Sequence, residues 1–166
     1  MIFDLSIDTM IVIGMADYAV TRSPEKLTTL GLGSCIGIAI YDPVTKIGGL
    51  VHIMLPTIEN ARFKDNRAKF ADSGIPFLVE EMVHAGASRR RIVAKIAGGA
   101  KMFSFNADTN LNIGERNIQA TKVVLAEMKV PIIAEDTGKN YGRTVVLDTD
   151  TGIYFIRSAT KGETQL

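Results

Sequence analysis

The sequence predicts an α+β domain: a mixed, largely antiparallel β-sheet sandwich carrying two main helices. Three observations lead there. Short β-rich runs are spread along the whole chain, some of them flank turn sequences as hairpins do, and two longer segments repeat apolar residues at helical spacing. A chain of 166 residues, 46% apolar and 22% charged, has the length and mixture of one folded domain. No Pro/Gly/Ser linker, charge block or short repeat divides it, so residues 11–166 read as a single domain behind a loose leader, residues 1–10.

The first strand is expected at residues 11–14 and a short second one at 27–30. Residues 36–41 and 47–55 form the next pair, separated by Asp42-Pro43-Val44-Thr45, a turn sequence with proline in second position. A polar stretch covers 59–69. The first helix is expected over 71–84, with Leu78, Val79, Met82 and Val83 as its core face, Pro76 near its first turn and Gly86 as its stop. Residues 91–96 read as a strand that Ala97-Gly98-Gly99-Ala100 breaks. The second helix opens at Asn112, where Glu115 three residues on resembles a capping box. It runs to about residue 128, burying Ile113, Thr121, Val124, Leu125 and Met128, and Pro131 ends it. Residues 132–135 are a strand, and 143–147 pair with 153–158 across Thr149-Asp150-Thr151-Gly152.

Composition removes several functions. Nineteen Lys and Arg against eighteen Asp and Glu leave a net charge of +1, without the excess that neutralising nucleic-acid phosphates requires. No apolar run reaches the length of a membrane helix, so no membrane insertion is expected. Asp4 and Asp8 interrupt the apolar N-terminus where a signal peptide needs a basic start and a clean apolar core, which makes a cytoplasmic location the expectation. One cysteine, Cys35, excludes an internal disulfide framework and a multi-Cys metal site. With only His52 and His84 to add, neither a metal nor another cofactor is expected. His84 ends a helix, where its charge suits the dipole, and Arg89-Arg90-Arg91 reads as a solvated turn.

The chemistry concentrates in Thr29-Leu30-Gly31-Leu32-Gly33-Ser34-Cys35. Two glycines and a serine before the only thiol allow a tight bend whose N–H groups can face an anion. The segment lacks the Lys-Ser/Thr ending of a P-loop and the six-residue dinucleotide fingerprint. Taken alone, Cys35 is better read as a small buried hydrophobe. The hairpin adds a second group. With Pro43 and Val44 as its tip, Cys35 stands directly opposite His52, close enough for a thiolate–imidazolium pair. That register puts Ile36, Ile38 and Ile40 opposite Val51, Gly49 and Ile47 on one apolar face. Cys35, Gly37 and Ala39 then share the other face with His52, Leu50 and Gly48, whose small residues leave room for a substrate or loop. A slip of one residue would separate Cys35 from His52, and proline suits the primed hairpin turns poorly.

These segments, in this order, resemble the chemoreceptor glutamine deamidase CheD family of bacterial and archaeal chemotaxis. The resemblance covers roughly residues 13–152. It rests on Leu30-Gly31-Leu32-Gly33-Ser34-Cys35, Asp42-Pro43, His52-Ile53-Met54-Leu55-Pro56 and Lys95-Ile96-Ala97-Gly98-Gly99-Ala100. Asn112-Ile113-Gly114-Glu115-Arg116-Asn117 and Asp136-Thr137-Gly138 followed by Gly142-Arg143 complete it. It implies a CheD-like cysteine hydrolase fold, with Cys35 as nucleophile, His52 as the histidine and Thr29 as the active-site threonine. Lys139 departs from the pattern, standing where a second glycine is expected, and residues 1–10 have no counterpart.

The resemblance also implies the substrate, specific glutamines on the cytoplasmic helices of methyl-accepting chemotaxis receptors, and a partner, the CheY-phosphate phosphatase CheC. In that reading Cys35 attacks the side-chain amide, His52 moves protons, Thr29 holds the ring, and backbone N–H groups of Gly33, Ser34 and Cys35 are the oxyanion candidates. A thioester forms and water releases glutamate. The alternative is a binding module that mainly stimulates CheC and deamidates weakly. A redox-sensing thiol is disfavoured because no resolving cysteine exists.

Overall fold

The computed structural model describes residues 10–102 and 112–166, so residues 1–9 of the expected leader lie outside the described residues. Met10 already belongs to a strand. The strands are β1 (Met10–Ile13), β2 (Tyr18–Arg22), β3 (Lys26–Leu32), β4 (Ile36–Asp42), β5 (Ile47–Ile53), β6 (Val93–Gly98), β7 (Ile132–Thr137), β8 (Arg143–Asp148), β9 (Tyr154–Ser158) and β10 (Gly162–Gln165). The helices are α1 (Ala71–His84) and α2 (Ile113–Glu127). One sheet has the order β1-β3-β8-β9-β10 and the other β2-β5-β4-β6-β7. Only β1 with β3 and β6 with β7 run parallel, so the architecture is α+β, mixed and largely antiparallel.

The central strands β4 and β5 are buried along their whole length, because both faces of their sheet are covered. On one face Ile36, Ile38, Ile40, Val51 and Ile53 pack against Ile75, Leu78, Val79 and Met82 of α1 and Leu125 of α2. On the other, Ala39, Leu50 and Ala97 meet Leu27, Leu32, Val145, Leu147, Tyr154 and Ile156 of the partner sheet. The result is three layers, with the β2-to-β7 sheet between the helices and the other sheet. Burying each large aliphatic side chain contributes about 1.5–3 kcal/mol.

The helix ends follow their residues. Gly86 takes φ +115, its N–H donates to Val83, and Ala87 N–H donates to Met82, which closes α1 with a Schellman turn. Lys129 at φ +60 closes α2 in the same way. Asn112 caps α2, its Oδ1 accepting the Glu115 N–H. Two expected core residues face outward: Val83 is 41% exposed and Ile113 is 36% exposed. Ile75 and Ile118 fill those roles.

The β4–β5 register differs from the expected one. Pro43 and Val44 do not form a two-residue tip. Residues 43–46 make a longer loop in which Asp42 Oδ1 accepts the N–H groups of Val44 and Thr45, and Lys46 at φ +57 returns its N–H to Asp42 O. Proline cannot take the positive φ of a primed turn, whereas an Asp before it caps a wider loop. Ile36 therefore pairs with Ile53, Gly37 with His52 and Ile38 with Val51. Each partner moves by two positions, so the faces survive and only the pairs change.

Asp42 is fully buried and anchors that loop to the turn before β6. Its carboxylate accepts from Ser88 N–H and, in a two-toothed bridge, from Arg91 Nε at 3.0 Å and Nη2 at 2.9 Å. Burial alone raises its pKa, but Arg91 and the three N–H donors outweigh it and hold the carboxyl well below the usual range. Because folding depresses this pKa, the stabilisation is in place above the unfolded carboxylate's value and is lost as pH falls through the folded one. D42A is expected to cost about 2–3 kcal/mol at neutral pH in urea unfolding, since it removes the acceptor of three backbone amides and of the Arg91 bridge. A loss below about 0.5 kcal/mol, the size of an ordinary surface change, would contradict this account.

Candidate active site

Thr29 lies in β3 of one sheet and His52 in β5 of the other, and their side chains meet between the sheets. Thr29 Oγ1 is 2.8 Å from His52 Nδ1 and 2.9 Å from the carbonyl oxygen of Ile13. Both residues are completely buried. A carbonyl can only accept, so the single hydroxyl proton of Thr29 goes to Ile13. The hydroxyl then accepts from the ring, which places the proton on Nδ1 and leaves a lone pair on Nε2. Nε2 has no hydrogen-bond partner among the described residues.

Cys35 immediately precedes β4. It packs half-buried against the same inter-sheet cluster as Ala39 and Leu50, on the face that carries His52. The shifted register sets Gly37, not Cys35, directly opposite His52, and Cys35 lies two residues before Gly37, just outside the ladder. Burial pushes the Cys35 thiol up, against a smaller lowering by its own backbone N–H, and pushes His52 down to about 4. The resting pair is a neutral thiol and a neutral imidazole, not the ion pair that the sequence suggests.

The small-residue face is closed. A side-chain carbon on Gly37 would stand 2.8 Å from Tyr154 Oη and 2.9 Å from Leu32 Cδ1, and one on Gly48 would meet Thr149 and Leu147 at 2.8 and 2.9 Å. Gly37, Ala39 and Gly48 admit the partner sheet, not a substrate. Access to Cys35 is left to the loop before it, where Gly33 and Ser34 are, like Cys35, only partly buried and Met102 is 46% exposed. Met102 Cγ lies 3.3 Å from where a Gly33 side chain would begin.

Three successive carbonyls of that loop are engaged from behind. Gly33 O accepts from Ala100 N–H at 2.9 Å, Ser34 O from Asn117 Nδ2 at 3.0 Å, and Cys35 O from Gly99 N–H at 2.9 Å. Gly98 at φ +113 permits this approach, since a Cβ there would collide with the Cys35 carbonyl. In a trans peptide the C=O and N–H point opposite ways, so the N–H groups of Ser34 and Cys35 face away from this clasp. Among the described residues no hydrogen bond to another residue uses them or the Gly33 N–H. Nearby, fully buried Arg143 bridges the sheets by donating to Asp136 Oδ1 at 3.1 Å and Gly138 O at 3.0 Å. Lys139 takes φ +63, the left-handed conformation for which the expected glycine is suited. Asn117 and Arg143 were legible only as members of sequence blocks; nothing in their spacing announced their contacts.

Among the described residues no group of three or more His, Cys, Asp or Glu side chains is placed to hold a metal. No helix there is long and apolar enough to cross a membrane. A lone thiol, a buried imidazole with a fixed tautomer and a threonine hydroxyl are thus gathered where the two sheets of this α+β sandwich meet.

Comparison with known proteins gives the family. Residues 54–158 match the family described as "CheD chemotactic sensory transduction". The "Probable chemoreceptor glutamine deamidase CheD" of Caldanaerobacter subterraneus is 51% identical over 151 residues, covering 90% of this chain and 93% of that protein. The "Probable chemoreceptor glutamine deamidase CheD 1" of Methanosarcina acetivorans is 49% identical over 154 residues, covering 93% and 95%. The likeness to a solved structure, that of the hypothetical protein YfiH of Bacillus licheniformis, is slighter. It has a TM-score of 0.48 and 16% identity, and covers 73% of this chain and 50% of that one. The chain belongs to the CheD family.

Replacing Thr29 tests the hydrogen-bond chain at its centre. T29V leaves the buried Nδ1–H without an acceptor and Ile13 O without this donor, and is expected to cost about 1–3 kcal/mol in urea unfolding. T29S, which keeps the hydroxyl, should retain most of that stability. Equal losses in both variants would show that the methyl group, not the hydrogen bond, matters.

Proposed function

We propose that this chain is a chemoreceptor glutamine deamidase that works through Cys35, His52 and Thr29, in the cytoplasm and without a cofactor. The observation that carries the reading is the Thr29–His52 contact, which leaves the Nε2 lone pair unpartnered on the face where the thiol packs. The names of the relatives supply the substrate class, a receptor glutamine.

In this mechanism His52 Nε2 takes the thiol proton as Cys35 sulfur attacks the side-chain carbonyl carbon. The C=O π bond opens onto oxygen, and the N–H groups of Ser34 and Cys35 are the favoured donors to that oxyanion. The oxyanion collapses, the C–N bond breaks, and the proton held on His52 leaves with ammonia. A thioester to Cys35 remains. Neutral His52 then draws a proton from water, whose oxygen attacks the thioester, and the returning proton restores the thiol as glutamate departs. Throughout, Thr29 holds Nδ1–H, so the imidazolium keeps its orientation when it forms.

Incubation with a receptor cytoplasmic domain, read by mass spectrometry, is the direct test. The wild-type chain converts specific glutamines to glutamates and C35A converts none, while remaining folded because one small residue replaces another. Undiminished conversion by C35A would overturn the assignment. Because neutral His52 is the base and burial sets its pKa at about 4, kcat/KM should hold its plateau below pH 6 and fall only near pH 4. An acid limb at about 6.5, the ordinary histidine value, would contradict the buried neutral ring.

CheC belongs to this proposal as a partner. Exposed Met102, which lies against Gly33 of the loop that carries the thiol, offers an apolar rim on which a receptor helix and a second protein compete. With receptor limiting, added CheC should slow deamidation and excess receptor should restore it, because competition for one surface is reciprocal. Unchanged rates at saturating CheC would separate the two surfaces. A C35A chain that still stimulates CheC, beside a wild type that deamidates only weakly, would favour the binding-module reading.

A further inference from the structure

We infer that Asn117 is a positioning residue that sets the distance between Cys35 and His52 and aims the Cys35 N–H at the reacting oxygen. This rests on the hydrolase reading above and adds a residue to it. Asn117 projects from α2 and is completely buried. Its amide nitrogen donates to Ser34 O at 3.0 Å and to Met54 O at 2.9 Å. Both acceptors are carbonyls, so only the NH2 group can face them, and the orientation of the side chain is fixed by its neighbours.

Those two carbonyls are not arbitrary. Ser34 precedes the thiol, and Met54 follows His52 by two residues. The β4–β5 ladder stops at Ile36 and Ile53, two positions after Ser34 and one before Met54. Asn117 supplies the next rung with a side chain where the backbone pairing has ended. It joins the loop that carries the thiol to the strand end that carries the ring.

The same bond sets a direction. The Ser34 carbonyl points at Asn117, and the Cys35 N–H, in the same trans peptide plane, points the other way. That N–H also lies close enough to its own sulfur to lower the thiol pKa, so it borders the point of attack. An oxyanion formed on a carbon bound to that sulfur falls within its reach.

Packing alone does not account for an asparagine here. Asn117 Oδ1 is buried without a hydrogen-bond partner, an arrangement that an aliphatic side chain of similar size avoids. Asparagine is also a weak helix former. What it brings that an aliphatic residue lacks is two N–H donors on one nitrogen. Thr121, one turn further along α2, is equally buried, and its Oγ1 makes no hydrogen bond among the described residues, so it serves as the control.

The test uses the full chain in two variants. N117D keeps the shape and removes the paired donors, and N117Q keeps the donors on a stem one methylene longer. The measurements are kcat and KM for receptor deamidation, and the pH profile of Cys35 alkylation by iodoacetamide. The lone thiol makes the alkylation signal unambiguous. In whichever variant folds, kcat is expected to fall about 10–100-fold with KM within about twofold, as for loss of an oxyanion donor. The alkylation midpoint should move down toward that of an ordinary thiol, because the loosened loop admits water to a sulfur that burial holds high. Each variant's urea unfolding curve places the assay where the chain is folded, so that a lower kcat beside a more acidic thiol reports the loop and not unfolded chain. T121V should match the wild type in every measurement. A folded N117D or N117Q with wild-type kcat and a wild-type alkylation profile would overturn the inference. A wild-type chain that deamidates no receptor would overturn the hydrolase reading instead, and the alkylation profiles would still decide the role of Asn117.

Discussion

One hydrogen bond joins the two sheets at the point where the proposed chemistry takes place. Thr29 belongs to β3 and His52 to β5, and the 2.8 Å contact between them crosses the sandwich. Its direction is dictated by Ile13, whose carbonyl takes the only proton the hydroxyl has. The first strand of the fold therefore determines the tautomer of a histidine in the opposite sheet. Parallel pairing of β1 with β3 brings Ile13 beside Thr29, and the packing of the sheets brings Thr29 to His52. Each step has a distinct cause, and the free lone pair on Nε2 is their joint result.

The same packing decides what reaches the site. Glycines at 37 and 48 are needed because Tyr154, Leu32, Leu147 and Thr149 fill the space where their side chains would be. Tyr154 Oη also donates to Gly37 O at 2.9 Å, so the closure is bonded as well as packed. The sandwich thus buries the whole imidazole between its sheets and leaves the thiol half-buried. Burial without a charged partner depresses the histidine pKa and raises that of the cysteine. In the proposed mechanism the proton moves only as the substrate is attacked, which keeps the thiol protected between turnovers.

Much of this was legible in the sequence. Apolar spacing at Leu78, Val79 and Met82, with Gly86 beyond, located α1, and Asn112 with Glu115 located the start of α2. The pairing of a glycine-flanked cysteine with a histidine across a hairpin put both on one face, since the faces depend only on the parity of the register. The pairs themselves were not legible. They depend on Asp42 capping a wider loop, a contact that also involves Ser88 and Arg91 far along the chain. β2 and β10 were not legible because neither buries a residue that would mark a strand face: β2 is at most half-buried and Gly162–Gln165 is exposed throughout. The closed glycine face was misread as open because a sequence does not say which layer lies above a strand. Asn117 is the same kind of case, a polar residue on a helix whose partners are set by tertiary packing alone.

The central claim is that Thr29 fixes a neutral His52 with its proton on Nδ1. Nitrogen NMR of the ring in the ¹⁵N-histidine-labelled chain tests it most directly, with His84 assigned by substitution. The account predicts a protonated Nδ1, an unprotonated Nε2 and a ring that stays neutral until the pH approaches 4. A proton on Nε2, or a ring that charges at about 6.5 as an ordinary histidine does, would contradict it.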